Sequence, residues 1–357
     1  MTSSSTMGSS VKFMFVIKFS LLLATSTYIR SALPPFSWDT LPVFFHSSNG
    51  SGLYNPEAIR AISKYPMVTA AQGQGHLVKD MDDEDAMVLL LRAVKKANPN
   101  TTTYYYFNSF KDNLDLSRTA HQFEAHPNWA LRDKNGIPVK NNQNKYVFDV
   151  SQVEVRQWLL NICLNGTDSA GGDGCYCDSS QHTSDQHFHP PVSPQKMKAW
   201  GEGLLNLTRE VQDALGNERL LIGKVPDQPY VKAAQIEFFR PNNDSINNLT
   251  EGVRNGKVMQ AHMALGAPCE GDITDYLAAF LVAVGKYSYY GCGNWSTTGN
   301  NSSFFWHPYY DKPLGAPLGP ATYTGRVWKR QFASGTKVTF DTSNNKGTIE
   351  WGSVGYK

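Results

Sequence analysis

Short apolar runs alternate along the chain with stretches whose apolar residues recur every three or four positions. VFFHSS (43–48), MVTAAQ (67–72) and TTYYYFNS (102–109) are rich in β-branched and aromatic residues and predict strands. GCYCDS (174–179), RLLIGKV (219–225), AQIEFF (234–239), KVMQAHM (257–263) and YSYYG (287–291) extend the series to eight. Between them the period changes to that of a helix. A first helix is expected around 55–64. In the second, DDEDAMVLLLRAVKKAN (82–98), acids fill the first turn and lysines the last, which complements the helix dipole. Ser151 and Glu154 form a capping-box pattern that predicts a helix from Gln152, with Val155, Trp158, Leu159 and Ile162 on its apolar face. Ser193 and Pro194 open a longer one, striped by Met197, Trp200, Leu204, Leu207, Val211 and Leu215 and stopped at Gly216. A short helical stretch is expected between the fifth and sixth strands. Two further helices are expected near 244–254 and 272–284.

Strands alternating with helices imply parallel pairing with helical crossovers. Eight such units fit a (β/α)8 TIM barrel. The competing open, doubly wound sheet needs a Gly-rich phosphate turn after its first strand, and HSSNGSG lacks that spacing. From Pro308 the pattern changes to Pro- and Gly-rich segments and then to alternation around SNNKG. The tail therefore reads as a short β-hairpin or strand extension packed on the barrel. The expected organisation is an N-terminal signal over 1–26, a barrel over 40–307 and a β extension over 308–357.

The charge balance, a formal net charge of +2, supplies no field for nucleic acid. Lys12 followed by FMFVIKFSLLLA and then ATS suits a secretory signal. The apolar run is short for a membrane span, so stable membrane insertion is not expected, although an uncleaved signal anchor is the alternative. Asn-x-Ser/Thr acceptors at Asn49, Asn100, Asn165, Asn206, Asn243, Asn248, Asn294, Asn300 and Asn301 agree with a secreted glycoprotein. Five cysteines allow one or two bridges with a thiol left over. Cys175 and Cys177, two apart on a strand, should not bridge each other and read as buried inert thiols. The C-x-C spacing is not that of a redox motif. His182, His187 and His189 lack the spacing of a metal site, so no metal or cofactor is expected.

In a barrel, chemistry collects at the C-terminal ends of the strands. Strand alternation puts Tyr176 and Asp178 on one face, with Cys175 and Cys177 on the other. It likewise groups Gln235, Glu237 and Phe239. Asp178 ends the fourth strand and Glu237 lies near the end of the sixth. Two carboxylates facing across a mouth are the minimum for glycosidic bond cleavage, one protonated and one ionised. Glu237, flanked by Ile236 and Phe238, suits the acid, and Asp178, beside two serines, suits the anion. The plainer readings are a turn or cap for Asp178 and an ion pair with Lys224 or Arg240 for Glu237. His46, Asn108, Tyr176, Lys224, Gln260 and His262 are candidate ligands of sugar hydroxyls. Trp295 is a candidate stacking platform, as are Trp129, Trp306, Tyr309 and Tyr310. Asp149 is a further candidate, though it suits a role in organising the turn into its helix.

FDVSQVEVRQWLLN…GGDGCYCDSS resembles a segment of barrel glycosidases of the α-amylase-like and α-galactosidase-like superfamilies. YSYYGCGNW…YDKPLGAPLGPATYTGRVWKRQFASGTKVTFD…KGTIEW resembles the C-terminal signature of the glycosyl-hydrolase-like family 15. The resemblance spans about residues 40 to 352. It implies a (β/α)8 barrel and a glycoside hydrolase, with Asp178 matching the strand-four acid and Glu237, less sharply, the strand-six acid. The expected partner is a carbohydrate, cleaved by a two-carboxylate mechanism. The competing expectation is a lectin-like wall or matrix barrel that binds glycans without cleaving them. A transglycosylase would use the same two acids.

Overall fold

The computed structural model describes residues 1, 33–113, 116–180, 192–263, 269, 271–295 and 306–352. Residues 2–26 of the expected signal segment, His182, His187, His189 and the sequons Asn300 and Asn301 lie outside the described residues.

Eight parallel strands follow one another in sequence order around a barrel. They are β1 (Phe44–Ser47), β2 (Met67–Ala70), β3 (Thr102–Asn108), β4 (Gly174–Asp178), β5 (Leu220–Gly223), β6 (Ala233–Phe239), β7 (Val258–Met263) and β8 (Ser288–Gly291). The ring closes through a parallel bridge between Val43 and Tyr290, where the Tyr290 N–H donates to the Pro42 carbonyl at 2.9 Å. The crossover helices are α1 (Pro56–Ile62), α2 (Asp83–Ala97), α4 (Val153–Ala170), α5 (Pro194–Leu215), α6 (Asn243–Arg254) and α7 (Thr274–Ala283), while α3 (Ser117–Glu124) lies in the β3–α4 connection. Among the described residues no helix is long and apolar enough to cross a membrane.

Small residues set the spacing of the layers. A Cβ on Gly174, at φ 145°, would meet the Leu220 carbonyl oxygen at 1.9 Å, so only glycine lets β4 start against β5. A Cβ on Gly166 would strike the Tyr105 ring, so glycine there seats α4 on β3.

Several expectations need correction. The capping box does not form. The Ser151 hydroxyl donates to Asp149 Oδ1 at 2.6 Å, and α4 starts behind Gln152 without a side-chain cap. Ser193 does cap α5, accepting from the Lys196 N–H at 3.2 Å. No helix joins β5 to β6, because Pro226 and Pro229 with Asp227 break the segment into turns. The stretch between β3 and α4 holds α3 and a 3-10 turn at Pro127–Trp129. Its Phe123, Leu131, Val147 and Phe148 share a second apolar cluster with Trp200 of α5. Cys175 is not a free thiol. It bridges to Cys163 on α4, and Cys269 bridges to Cys292, which leaves Cys177 as the buried free thiol.

The tail is larger than a hairpin. Strands β9 (Thr322–Thr324), β10 (Val327–Gln331), β11 (Lys337–Asp341) and β12 (Lys346–Glu350) form an antiparallel sheet in meander order. The turn expected at SNNKG joins β11 to β12. Alternation sends Val338 and Phe340 inward, and Trp328 donates to Asn243 Oδ1 on α6 at 3.1 Å. Arg330 donates to the carbonyls of Leu281, Val282 and Val284, satisfying the C-terminus of α7. Replacing Arg330 with Met should therefore lower stability by ~1–3 kcal/mol, read as a lower urea midpoint with an unchanged slope.

Candidate active site

Asp178 closes β4 at the C-terminal rim of the barrel. Its Oδ2 accepts from the Tyr106 hydroxyl at 2.5 Å and from Asn108 Nδ2 at 3.2 Å. Its Oδ1 accepts from the Ser179 N–H at 2.6 Å and from Lys224 Nζ at 3.0 Å. Ser179 sits at φ 57°, in the left-handed region, where the chain turns out of β4. Ser109 ties down the strand end, its hydroxyl donating to the Asp178 carbonyl at 2.8 Å.

Lys224 follows the last residue of β5 and bonds both acids, Asp178 and Glu237 Oε2. All three reach solvent to a limited extent, with side-chain exposures of 17% for Asp178, 23% for Glu237 and 9% for Lys224. The ion pair weighed for Glu237 is thus formed, with Lys224 and not Arg240. The lysine is shared with the other acid.

A bulge in β6 directs Glu237. Ile236 pairs with Ala261 while Phe239 pairs with Met263, so β6 has one residue more than β7 across this interval. The simple alternation read from AQIEFF therefore fails past Glu237. Phe238 is exposed, and Phe239 packs on Phe280 of α7 in the outer layer instead of sharing the lumen with Glu237.

Burial alone would raise the pKa of Asp178. The Lys224 ammonium, the Tyr106 hydroxyl and the Ser179 N–H outweigh it and hold the acid down at about 2. For Glu237 burial wins, reinforced by the negative charge of Asp178, and its pKa lies above the ordinary value despite Lys224. Burial works against the charge on Lys224, but the two carboxylates hold its pKa up. Two acids on one lysine are thus driven in opposite directions.

Below the rim the lumen is filled by a polar layer. Tyr176 donates to Gln235 Oε1 at 2.8 Å, and Gln235 Nε2 lies 2.9 Å from Gln260 Oε1 and 3.0 Å from His46 Nδ1. The Trp295 indole stacks on His262 with ring centroids 3.8 Å apart and meets the edge of His46 at 4.9 Å. Burial lowers the pKa of His46 well below the ordinary value and that of His262 to about 3, so both rings are neutral at pH 7.

The residues selected from the sequence, Asp178, Glu237, His46, Asn108, Tyr176, Lys224, Gln260, His262 and Trp295, converge on this lumen. Asp149 does not join them. Its oxygens are occupied by Ser151, Gln152 and Lys196, the last at 2.6 Å, and it fastens the entry of α4 to α5. Asn108 serves the carboxylate, and its own Oδ1 accepts the N–H groups of Phe110 and Lys111. Sequence reading missed Tyr106. It lies two residues before Asn108 on the same strand, so alternation already placed it on the same face.

The two acids thus lie together at the C-terminal rim, toward the ends of the fourth and sixth strands of a closed barrel. The chain matches the model of hypothetical glycosyl hydrolase family 15 over residues 95–336, about two thirds of its length, and belongs to that family. No curated protein matches the sequence. Among solved structures, the chain is similar to the galactosidase domain of the alpha-galactosidase-sucrose kinase AgaSK. That match has a TM-score of 0.50 at 14% identity, over 92% of this chain and 50% of that one. The glycoside hydrolase domain of PelA from Pseudomonas aeruginosa gives a TM-score of 0.46 at 14% identity, over 71% and 98% of the two chains. A noncanonic maltogenic alpha-amylase, AmyB from Thermotoga neapolitana, gives 0.47 at 12% identity, over 80% of each. At these identities the likeness is one of fold.

Proposed function

We propose that the protein is a secreted retaining glycosidase in which Asp178 attacks the anomeric carbon and Glu237 protonates the leaving oxygen. The observation that carries this reading is the shared lysine. Two oxygens bonded to one nitrogen, each at ~3 Å or less, lie within ~6 Å of each other. That closest approach favours direct attack over the interposed water of an inverting enzyme. Asp178, held at about 2, is ionised across the working range. Glu237, raised by burial, keeps its proton at higher pH than a free carboxylate. After the glycosyl-enzyme forms, the deprotonated Glu237 takes a proton from the attacking water. Secretion is supported by the N-terminal apolar run and by two disulfides, which suit an oxidising compartment. Residues 40–307 form the catalytic barrel in this reading and 308–357 its appended sheet.

The test uses a panel of oligosaccharides and aryl glycosides. The wild-type protein should release reducing sugar from at least one of them. Glu237→Gln should slow cleavage by ~10²–10⁴-fold for poor leaving groups and much less for an activated aryl group. Glycan binding with no product from any member would refute the hydrolase.

The pH profile follows from the same shifts. Catalysis needs Asp178 ionised and Glu237 protonated. Activity should rise above pH ~2, hold through the acidic range and fall as pH climbs through the raised pKa of Glu237. With an activated aryl glycoside, the alkaline limb of kcat/KM should disappear in Glu237→Gln.

A further inference from the structure

We propose that the Trp295 side chain occupies a sugar-binding position and rotates away to admit an uncharged sugar, whose vicinal hydroxyls then pair with Gln260 and His262. This rests on the glycosidase reading and assigns that site its substrate class.

Gln260 Nε2, both ring nitrogens of His262 and the Trp295 Nε1 are buried without a hydrogen-bond partner. The backbones of Met263 and Glu237 run close to His262 and bias its ring, but neither meets a ring nitrogen in hydrogen-bonding geometry. Gln260 and His262 are each 1% exposed. An unpaired buried polar group costs ~1–3 kcal/mol, and folded proteins keep few of them. Here four such atoms lie together beside two candidate catalytic acids. The indole covers the imidazole face to face at 3.8 Å, the contact that a flat pyranose face would make with either ring. The closed arrangement is thus apolar in shape over groups that are polar in chemistry. A sugar replaces the stacking contact and also supplies the missing hydrogen bonds.

The movement is confined to the side chain. The Ser48 N–H and hydroxyl donate to the Trp295 carbonyl at 3.1 and 3.2 Å, and Ser47 donates to the Asn294 carbonyl at 2.6 Å. Cys292, three residues upstream, is bridged to Cys269. These anchors hold the backbone while the indole turns about its side-chain torsions.

The charge of the ligand follows from its surroundings. Gln260 offers a neutral N–H donor, and the neutral imidazole of His262 offers one donor and one acceptor. Vicinal hydroxyls, which both donate and accept, match that set. A uronic carboxylate or an amino sugar would be buried among neutral groups, since Lys224 is already shared by Asp178 and Glu237.

The test follows the indole N–H resonance of Trp295 in ¹⁵N-labelled wild-type protein, assigned by its loss in Trp295→Phe. Methyl glycosides of neutral hexoses and pentoses are titrated, then the matching uronates and 2-amino sugars. At least one neutral glycoside should shift the resonance, with its charged counterparts binding at least ~10-fold more weakly. Trp295→Ala should bind the same neutral glycoside more tightly, by ~3–10-fold, because the competing closed state is gone. His262→Ala should weaken it by ~10-fold. Weaker binding by Trp295→Ala would show a simple stacking platform and overturn the proposal. So would equal binding of a uronate, or a resonance that no glycoside moves. Hydrolysis lost in Asp178→Asn while substrate leaves the Trp295 resonance unmoved would reject the gate and keep the glycosidase. A moving resonance with no hydrolysis by the wild type would reject the glycosidase alone.

Discussion

Asp178→Asn should lower kcat by roughly 10⁴-fold on any substrate the wild type cleaves, with little change in KM or in the folded state. The amide cannot form the glycosyl ester, so the interaction lost is one made only on the way to the transition state. The fold should survive because asparagine keeps the volume: its one amide oxygen, in the place of Oδ1, still accepts from Ser179 and Lys224, while its NH2 faces Tyr106, whose hydroxyl has Gln72 Oε1 as a second acceptor at 2.6 Å. Burial, the larger cause, raises the Tyr106 pKa with or without the Asp178 charge, so its hydroxyl stays protonated at pH 7 in the variant. Circular dichroism and a thermal melt, run beside the kinetics, separate lost chemistry from lost structure. An unchanged kcat would remove Asp178 from the mechanism.

Lys224→Met should destabilise the protein by ~3–5 kcal/mol near neutral pH, because it leaves two partly buried carboxylates facing each other without their counter-charge. The pH dependence has a definite sign. In the wild type, Asp178 lies at about 2, below the ~3.9 of an unfolded aspartate. It contributes stability above pH ~4 that is lost as pH falls through about 2. Glu237 is raised, so its share is fully present below the unfolded value of ~4.3 and is lost as pH rises through its folded pKa. Without Lys224 both acids shift upward, and acid protonates them and removes their repulsion. The deficit of the variant should therefore be smaller at pH 4.5 than at pH 7.5 in urea melts. An equal deficit at both would mean that Lys224 acts through packing alone.

The barrel was legible because each strand carries its own signal. Runs such as TTYYYFNS and KVMQAHM are bounded by capped, periodic helices, and a parallel order then follows from the connections. Alternation was enough to bring Asp178, Lys224, Gln260 and His262 to one lumen. It failed at Glu237–Phe239, because a bulge is a mismatch between two strands and leaves no mark in either one alone. The capping box at Ser151 failed for a similar reason. Asp149 and Lys196 offer its hydroxyl stronger partners, and Lys196 comes from a distant helix. The Cys163–Cys175 bridge depends on how α4 sits over β4, which sequence spacing does not express. In the tail the sequence marks a hairpin or strand extension but not four strands, because β9 and β10 are short and largely polar and their pairing shows only in register.

Two acids close enough to share one ammonium are driven apart in pKa. The anomer released in the first minutes of hydrolysis, followed by ¹H NMR before mutarotation, tests this most directly. Net retention is the predicted result. A first-formed sugar of inverted configuration would place a water between the carboxylates and contradict the short separation.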